Sequence, residues 1–439
     1  MNVAGRTRIG IFGAGHVGIV TAAGLAELGR TVVLHDMDAA KIALLSAGGL
    51  PIHEAGLPEL LARGAAAGRL HFTTDAREAV AGCCAVFIAV GTPVASDGSA
   101  DLSAVRAAAG TIAEHLDGQT IIVNKSTVPV DTGDLVAAIV RDARLTRRAI
   151  VASNPEFLRE GCAVDDFFHP DRIVIGCDDD DAEWFLRELY APLNRPIIVT
   201  DVRTAEMIKY AANAFLATKI SFENEMAAIC AAIGTDVTDV LAGAGADSRI
   251  GAEHFGAGLG FGGSCLPKDV RALQQIAASA GVDTALLAAT TAINAHQVER
   301  VGTQIATLVD GLAGKNIGVL GLAFKGGTDD VRDSPAIALI ERLLAAGAQV
   351  SVHDPAALEN ARAVLAARVS YAPAADFPVV AEDADALVLA TDWETYRELD
   401  LPRLRQAMRR PLLVDARNFY DKERITNAGF RYEGIGRTE

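Results

Sequence analysis

The feature that most constrains the fold is a glycine-rich turn near the start of the sequence. Residues 8–12 read as a buried parallel strand, and residues 13–18 follow at once with the pattern Gly-x-Gly-x-x-Gly. A helical stretch and a second strand over 31–35 come next, and that strand ends at Asp36. This order predicts a Rossmann-like unit. In such a unit the first glycine makes the turn, the second admits a pyrophosphate and the third lets the helix pack on the strand.

The same unit predicts the cofactor. The amino end of the helix offers N–H groups and a positive dipole to phosphates. Asp36 can accept hydrogen bonds from ribose hydroxyls and would repel a 2′-phosphate, so the sequence favours NAD over NADP.

Three later strands are predicted, and each ends in a polar or glycine-bearing loop. Because ligands bind outside the carboxyl ends of the strands in open α/β sheets, we expect these loops to face cofactor or substrate. The alternative is that they are ordinary turns, since proline and glycine support both. The strands span 85–90, 120–124 and 149–153, and the loops span 91–93, 125–129 and 154–160.

The middle of the sequence reads as two helices. A long helix is predicted over 201–233, and Glu206, Lys209 and Asn213 share one of its faces. The alternative for this face is a solvated stripe on an amphipathic helix. A second helical stretch covers 285–312, and exposed apolar helices of this length often form a dimer interface.

The last third of the chain repeats the opening. A strand over 315–324, a helix over 333–347 and strands over 349–353, 386–390 and 412–414 predict a second α/β unit. Its turn reads Gly-Leu-Ala-Phe-Lys-Gly instead of the fingerprint, so a second dinucleotide is not expected there. Another nucleotide could bind, with Lys325 and Arg417 contacting phosphate or sugar. The fold class is therefore α/β, with two Rossmann-like, doubly wound parallel-sheet domains joined by a long central helix.

Charge and cysteine usage exclude several classes of partner. The 439 residues carry a net charge of −16, which argues against general affinity for nucleic acid or anionic membranes. The six cysteines fit neither a zinc site nor a disulfide framework, so we expect reduced thiols, no metal and a cytoplasmic location. Residues 1–8 run straight into the first strand, so no signal peptide is expected, and no apolar run approaches the length of a membrane helix.

The segment 260–269, Gly-Phe-Gly-Gly-Ser-Cys-Leu-Pro-Lys-Asp, predicts a reactive thiol. It places Cys265 in a glycine-rich loop, three and four residues before a lysine and a carboxylate. Glycines allow close approach of a ligand, and a nearby cation makes a thiol a better nucleophile. A cofactor that takes hydride and a cysteine that can hold an acyl group together indicate oxidation to a carboxylate.

Six motifs together resemble the UDP-glucose/GDP-mannose dehydrogenase family, over essentially the whole chain. They are the fingerprint at 13–18 and the segments 125–129, 154–161, 206–213, 260–269 and 324–332. The resemblance implies oxidation of the C6 alcohol of a nucleotide sugar to a carboxylate with two NAD⁺. It also implies an NAD-binding domain over 1–200, a central helical region for dimerisation and the active site over 201–312, and a UDP-sugar-binding domain over 313–439.

The resemblance implies catalytic roles for six residues. Cys265 attacks the aldehyde and carries the acyl group, while Lys209 and Asn213 stabilise negative charge on the substrate oxygen. Asp269 activates water, with help from Thr127, and Glu156 is a second acid–base candidate.

The resemblance also implies two sets of binding residues. The expected NAD contacts are Gly13, Gly15, His16, Val17, Gly18, Asp36, Lys41, Thr92, Thr127, Glu160, Lys268 and Arg332. The expected nucleotide-sugar contacts are Glu156, Phe157, Leu158, Arg159, Glu160, Lys209, Asn213, Arg249, His254, Phe255, Gly256, Ala257, Gly258, Gly262, Lys325 and Arg417. Arg249 resembles an arginine that reaches the substrate of a neighbouring subunit, which implies at least a homodimer.

The motif around Arg249 favours UDP-glucose over GDP-mannose, and UDP-N-acetyl sugars are a third choice. Two positions depart from the family pattern: His16 stands where tyrosine is usual, and Asp131 where glycine is usual. Two other classes stay open at this point, a catalytically silent nucleotide-sugar-binding protein and a simple two-electron 2-hydroxy-acid dehydrogenase.

Overall fold

The structure is a computed structural model that describes residues 7–142, 149–374 and 376–437. It divides into two compact units, Met1–Ala212 and Asn213–Glu439, and the division falls within a long helix. The expectation about residues 1–6, at the start of the chain, lies outside the described residues. Among the described helices, none has both the length and the hydropathy needed to span a bilayer.

The first unit alternates strands and helices. Its elements are β1 (Arg8–Phe12), α1 (His16–Glu27), β2 (Thr31–His35), α2 (Ala39–Ser46), α3 (Leu57–Ala66), β3 (Leu70–Thr73), α4 (Ala76–Val80), β4 (Ala85–Ile88), α5 (Ser103–His115), β5 (Thr120–Asn124), α6 (Thr132–Asp142), β6 (Ala149–Ser153), α7 (Ala163–Phe168), β7 (Ile173–Gly176), α8 (Asp180–Tyr190), a 3₁₀ turn at Ala191–Leu193, β8 (Ile197–Thr200) and the start of α9 (Val202–Ile233).

The strands of the first unit form one twisted sheet in the order β3-β2-β1-β4-β5-β6-β7-β8. The first six follow the Rossmann order, which confirms the predicted unit. The pairs are parallel except β6 with β7, where Ser153 lies opposite Gly176 in an antiparallel contact. The strands β3, β7 and β8 were not predicted. Burial is irregular along β3 and β8, whereas β7 is buried throughout and was missed despite its apolar run.

The sheet of the first unit is covered on both faces. Along β4, Ala85 and Phe87 belong to one apolar cluster, whereas Val86 and Ile88 belong to the other. Side chains of α1 fill the first cluster and side chains of α5 fill the second. Because both faces are buried, the strands read as continuous apolar runs and not as alternating ones, which made them visible in the sequence.

The second unit begins within α9. Its further elements are α10 (Val237–Gly245), α11 (Leu266–Ser279), α12 (Ala285–Leu308), β9 (Asn316–Leu320), α13 (Pro335–Ala345), β10 (Gln349–His353), α14 (Leu358–Leu365), β11 (Ser370–Tyr371), β12 (Ala386–Leu389), α15 (Leu401–Ala407), β13 (Leu412–Asp415), α16 (Lys422–Asn427), β14 (Arg431–Gly434) and 3₁₀ turns at Ala366–Arg368, Phe377–Ala381 and Glu394–Glu398.

The second sheet has the order β11-β10-β9-β12-β13-β14, which is again the Rossmann order with parallel neighbours. The predicted helices over 285–312 and 333–347 are each a few residues shorter in the structure. Cys265 ends the glycine-rich loop in which it was predicted, and the lysine and carboxylate that follow it belong to α11, which starts at Leu266 and was not predicted. Pro267 lies in the first turn of this helix, where its missing N–H costs nothing, and that proline was the signal for the helix start.

The turn after β9 starts like the turn after β1 and then departs from it. Gly321 and Gly13 both have positive φ, and each donates its N–H to a carbonyl oxygen at the end of the neighbouring strand, that of His353 in β10 or of His35 in β2. Asp354, which is fully buried, accepts the N–H of Leu322 at 2.7 Å, as Asp36 accepts that of Ala14, and it also accepts the N–H of Ala323 at 3.1 Å. The stretch 321–334 separates β9 from α13, so no helix begins at this turn. The turn therefore lacks the helix amino end that receives a pyrophosphate in the first unit, and the absence of a second dinucleotide stays a prediction.

Candidate active site

The glycine turn of the first unit has the geometry that a dinucleotide requires. Gly13 has a φ of +106°, and a side chain there would collide with the carbonyl group of Ala89. A side chain at Gly18 would collide with the carbonyl oxygen of Gly13, so the third glycine lets α1 approach the turn. Around Gly15, by contrast, nothing lies within 4 Å of the added carbon, which leaves room for a pyrophosphate. The residues present therefore fit NAD.

The acid at the end of β2 is held in its ionised form. Asp36 Oδ2 accepts the N–H of Ala14 at 2.7 Å and pairs with Lys41 Nζ at 3.1 Å. Burial alone would raise the pKa of Asp36, but the N–H groups of Asp38 and Ala14 and the Lys41 ammonium outweigh it and lower the pKa. The structure thus brings together two predicted NAD contacts, Asp36 and Lys41.

The loops after β4 and β5 are joined at the same edge of the sheet. Thr92 Oγ1 donates to the carbonyl oxygen of Thr127 at 2.9 Å, and Ser126 Oγ donates to that of Val90 at 2.7 Å. The predicted pair Thr92 and Thr127 therefore lies at the carboxyl ends of neighbouring strands, as an α/β ligand site requires.

A buried glutamate that the sequence analysis missed links the fingerprint to the loop after β6. Glu54 is 4% exposed and accepts the N–H groups of Gly161 and Ala163 at 2.7 and 2.8 Å. His16 Nε2 lies 2.9 Å from Glu54 Oε2. The histidine that departs from the family pattern therefore lies within ion-pair distance of a carboxylate of the same unit, although its Nε2 makes no hydrogen bond to a described residue.

The start of α9 faces the loop after β6. Lys209 Nζ pairs with Glu156 Oε1 at 3.2 Å, and both side chains are nearly inaccessible to solvent. Glu156 Oε2 accepts the N–H of Leu158 at 2.5 Å, which fixes the loop. Two cations approach the ring of Phe157, Arg172 at 3.6 Å and Lys209 at 5.2 Å from its centroid. Four predicted site residues, Glu156, Phe157, Leu158 and Lys209, are thus brought together.

Three further polar residues of the same region, Lys125, Asn154 and Tyr190, were not named as site residues, although the first two lie in loops predicted to face cofactor or substrate. Lys125 Nζ donates to Asn154 Oδ1 at 3.0 Å, and the Tyr190 hydroxyl donates to the same oxygen at 2.6 Å. Asn154 Nδ2 donates to the carbonyl oxygen of Val174 at 2.7 Å. A lysine directly after a buried strand was the available signal, but its burial could not be read from the sequence.

The other acid on the predicted helix face has a structural partner. Glu206 accepts the N–H groups of Asp131 and Gly133 at 2.9 and 2.8 Å and so holds the loop after β5. Burial raises the pKa of Glu206 to about 7, although these two N–H groups oppose the shift. Asp131 has a φ of +79° and pairs with Arg203 at the surface. The face is therefore buried and not a solvated stripe.

Within the second unit, Cys265 is the residue that precedes α11 and serves as its N-cap. Its Sγ lies 3.5 Å from Ser264 Oγ, and it is partly exposed. The N–H groups and the positive dipole of a helix amino end stabilise negative charge on sulfur. A side chain at Gly262 would collide with the carbonyl oxygen of Asp333, so this glycine permits the close packing of the loop before the cysteine.

The carboxylate one turn beyond Cys265 is held by two predicted site residues. Asp269 is 1% exposed, and its Oδ2 accepts Asn213 Nδ2 at 2.6 Å while its Oδ1 pairs with Lys268 Nζ at 2.6 Å. Since an amide NH₂ carries two donors, Asn213 can hold Asp269 with one and serve a substrate oxygen with the other.

The segment 251–258, which contains five predicted sugar contacts, is held by side chains of α9 and α12. Two side chains donate to backbone carbonyl oxygens: Lys219 Nζ to that of Glu253 at 2.5 Å and Gln297 Nε2 to that of Gly258 at 2.7 Å. Two others accept backbone N–H groups: Glu223 Oε2 that of Gly256 at 3.0 Å and Asn224 Oδ1 that of Gly258 at 2.9 Å. His254, Phe255 and Ala257 lie between these anchors.

Arg417 is bound to the backbone. Its guanidinium donates to the carbonyl oxygens of Ala390, Phe324 and Gly260, and burial lowers its pKa. Arg417 therefore connects three backbone segments: the loop that contains Gly260, the residue after β12 and the turn after β9. Lys325 follows Phe324 in the sequence, and its Nζ lies 5.9 Å from the centroid of the Phe324 ring.

The remaining predicted arginines already have carboxylate partners. Each forms a two-pronged ion pair with an aspartate: Arg159 with Asp166, Arg249 with Asp247 and Arg332 with Asp330. The predicted contacts Val17 and Glu160 are partly buried in the first unit. The ligand roles of all these residues stay predictions.

The chain is similar to known proteins along its whole length. Three models of one family match it: the NAD binding domain over residues 7–194, the central domain over 203–296 and the UDP binding domain over 318–422. The chain belongs to the UDP-glucose/GDP-mannose dehydrogenase family. This membership confirms the resemblance seen in the motifs and, with the glycine turn, the prediction of NAD as the cofactor.

Three members of the UDP-glucose/GDP-mannose dehydrogenase family illustrate the similarity. The UDP-glucose 6-dehydrogenase of Rhizobium meliloti (strain 1021) is 47% identical, with 98% of this chain and 100% of the relative covered. The solved UDP-glucose dehydrogenase of Pyrobaculum islandicum is 42% identical with a TM-score of 0.92, and the match covers 100% of this chain and 99% of that one. The UDP-D-ManNAc dehydrogenase of Pyrococcus horikoshii is 28% identical with a TM-score of 0.85, covering 98% and 99%.

Proposed function

We propose that this chain oxidises the C6 alcohol of UDP-glucose to a carboxylate, with reduction of two NAD⁺, to give UDP-glucuronate. The observation that carries the proposal is the Cys265 thiol at the amino end of α11, one turn before a carboxylate held by Asn213 and Lys268. Relatives named UDP-glucose 6-dehydrogenase, such as that of Rhizobium meliloti at 47% identity, support the choice of sugar.

In the first oxidation, the C6 hydroxyl loses a proton and a hydride and becomes an aldehyde. NAD⁺, when bound, accepts one hydride in each of the two oxidations. The Lys209 ammonium stabilises the negative charge that develops on the C6 oxygen, and Glu156 keeps the ammonium in place at 3.2 Å. Glu156 and Asp269 are the two carboxylates proposed for proton transfer.

In the second oxidation, the Cys265 thiolate forms a C–S bond to the aldehyde carbon and gives a thiohemiacetal. Loss of the hydroxyl proton and of a second hydride leaves a thioester. Water, deprotonated by Asp269 with the help of Thr127, then adds to the thioester carbon. The C–S bond breaks, which releases the carboxylate and returns the thiolate to Cys265.

The stoichiometry of NADH tests the proposal. Purified protein is mixed with NAD⁺ and UDP-glucose, a UDP-N-acetylhexosamine or GDP-mannose, and NADH is counted per sugar consumed. We expect two NADH per UDP-glucose. One NADH with a released aldehyde contradicts the four-electron reaction, and a preference for the N-acetyl sugar would place the chain with the dehydrogenase of Pyrococcus horikoshii.

The thioester is tested at the cysteine. Replacing Cys265 with Ser should stop steady-state turnover, since an alkoxide leaves far less readily than a thiolate. Cys162→Ser is the matched control, because Cys162 is an exposed cysteine in the other unit and should leave turnover unchanged. Near-normal turnover of Cys265→Ser would refute the covalent step.

We further propose that the chain forms a homodimer in the cytoplasm. Four large apolar side chains of α9 are solvent-exposed in the second unit, namely Phe215, Phe222, Ile229 and Ile233, which are 47–69% exposed. Their spacing of seven and four residues places them along one face, which supports a helix-to-helix contact between copies. Light scattering should give twice the chain mass, and Phe222→Glu should give the monomer. A monomeric wild type would refute the dimer.

A further inference from the structure

A buried lysine at the end of β5 has no role in the reaction proposed above. Lys125 is 7% exposed, and its ammonium donates to the neutral amide of Asn154 at 3.0 Å. Within the described residues, no carboxylate lies within ion-pair distance of it. A buried charge without a counter-ion is costly, so such a residue is normally replaced or neutralised.

The surroundings of Lys125 are rigid. Asn154 accepts from both Lys125 and the Tyr190 hydroxyl, and it donates to the carbonyl oxygen of Val174. Asn154 also lies two residues before Glu156 in the loop that carries the Lys209 ion pair. A change at Lys125 therefore reaches Glu156 through one ordered amide.

The charge of Lys125 acts on the same pair. Burial lowers the pKa of Lys125 to about 8, the Glu156 carboxylate opposes the shift, and the Lys209 ammonium adds to it. Lys125 and Glu156 line a cavity together with Arg172 and Asp166; Arg172 is stacked on Phe157, and Asp166 pairs with Arg159. The Glu156 carboxylate therefore pairs directly with Lys209 and attracts the more distant Lys125 ammonium.

We infer that Lys125 is a positioning residue that strengthens the positive potential at Lys209 and holds Glu156 in place through Asn154. The inference rests on the proposed role of Lys209 at the C6 oxygen. When Lys125 is protonated, its charge helps the Lys209 ammonium to stabilise the developing oxyanion. When it loses its proton, that help is withdrawn and the oxidation slows.

The pH profile of kcat with UDP-glucose tests the inference. In the wild type, kcat should fall as the pH rises through about 8. Lys125→Met should be about tenfold slower at neutral pH, equivalent to about 1.4 kcal/mol, and should lack that fall. Lys125→Arg keeps its charge and should stay active to higher pH than the wild type. Tyr190→Phe removes a hydrogen bond to Asn154 but no charge, so it should keep the wild-type fall.

An active Lys125→Met variant that keeps the wild-type profile overturns the inference and leaves the proposed function intact. A wild type that oxidises none of the nucleotide sugars overturns both. If Lys125→Met does not fold, Lys125→Arg decides, because loss of activity at the same pH as the wild type excludes a role for the charge of Lys125.

Discussion

Replacing Glu223 with glutamine should make the second unit more stable at alkaline pH. Glu223 is 1% exposed, and one of its oxygens accepts the N–H of Gly256 at 3.0 Å. Its other oxygen has no hydrogen-bond partner among the described residues. Glutamine has the same shape, and its amide oxygen can accept the same N–H, so the substitution removes the charge and little else.

The magnitude follows from the pKa. Burial raises the pKa of Glu223 from 4.5 to about 7, although the Gly256 N–H and the Lys219 ammonium oppose the shift. Because folding raises the pKa of Glu223, its carboxyl group contributes fully to the free energy of unfolding below about pH 4.5. This contribution is lost as the pH rises through about 7. Between about pH 5 and about pH 8, the wild type should therefore lose about 2.5 kcal/mol relative to Glu223→Gln.

Thermal unfolding of both proteins at the two pH values measures this loss. For a domain of this size, 1 kcal/mol corresponds to about 2–4 °C, so the gap between the two melting temperatures should change by about 5–10 °C in favour of the variant. Glu225→Gln, at an exposed position of the same helix, is the control and should show no such change. A gap that is the same at both pH values would refute the assignment of a buried, titrating carboxyl group.

Two further predictions concern the first unit. Gly18→Ala should weaken NAD binding and lower the melting temperature of the free protein, because the added carbon collides with the oxygen of Gly13. Gly15→Ala should weaken NAD binding but leave the melting temperature unchanged, since the added carbon meets open space. Titration with NAD and thermal unfolding distinguish these two variants, and equal losses of stability in both would contradict the geometry. Asp131→Gly should relieve the left-handed backbone by about 1 kcal/mol, offset in part by loss of the exposed pair with Arg203. Lower stability of this variant in urea unfolding would contradict the strain at residue 131.

The fold could be predicted where the sequence pattern has a single physical explanation. The strand β5 is buried along its whole length and β2 over its three middle residues, so their apolar runs marked them fully. The short strand β8 could not be found, because its side chains are mostly only partly buried. Helix α11 was not predicted, because the glycines that precede it indicate a loop, although Pro267 marked its first turn.

The site could be predicted as a set of residue types but not as a set of contacts. The motifs named Lys209, Asn213, Cys265 and Asp269, but no spacing says that Asn213 donates to Asp269 at 2.6 Å. The burial of Lys125 depends on side chains from β6, α8 and their loops, which lie far away in sequence. Such burial is a tertiary property, so a lysine that follows a strand reads as an ordinary surface residue until the fold is known.

The turn after β9 limits how the second unit could be redesigned. Asp354 accepts the N–H of the residue after the first glycine, as Asp36 does in the first unit, so the aspartate itself is no obstacle to a dinucleotide. The difference lies in the helix: α1 begins at His16, directly after the first glycine turn, whereas the stretch 321–334 separates β9 from α13. Grafting the three glycines into this turn would therefore not create a second dinucleotide site, because no helix amino end would meet the pyrophosphate. A helix would have to start within 321–334 as well, so the two units cannot be interconverted by exchanging one motif.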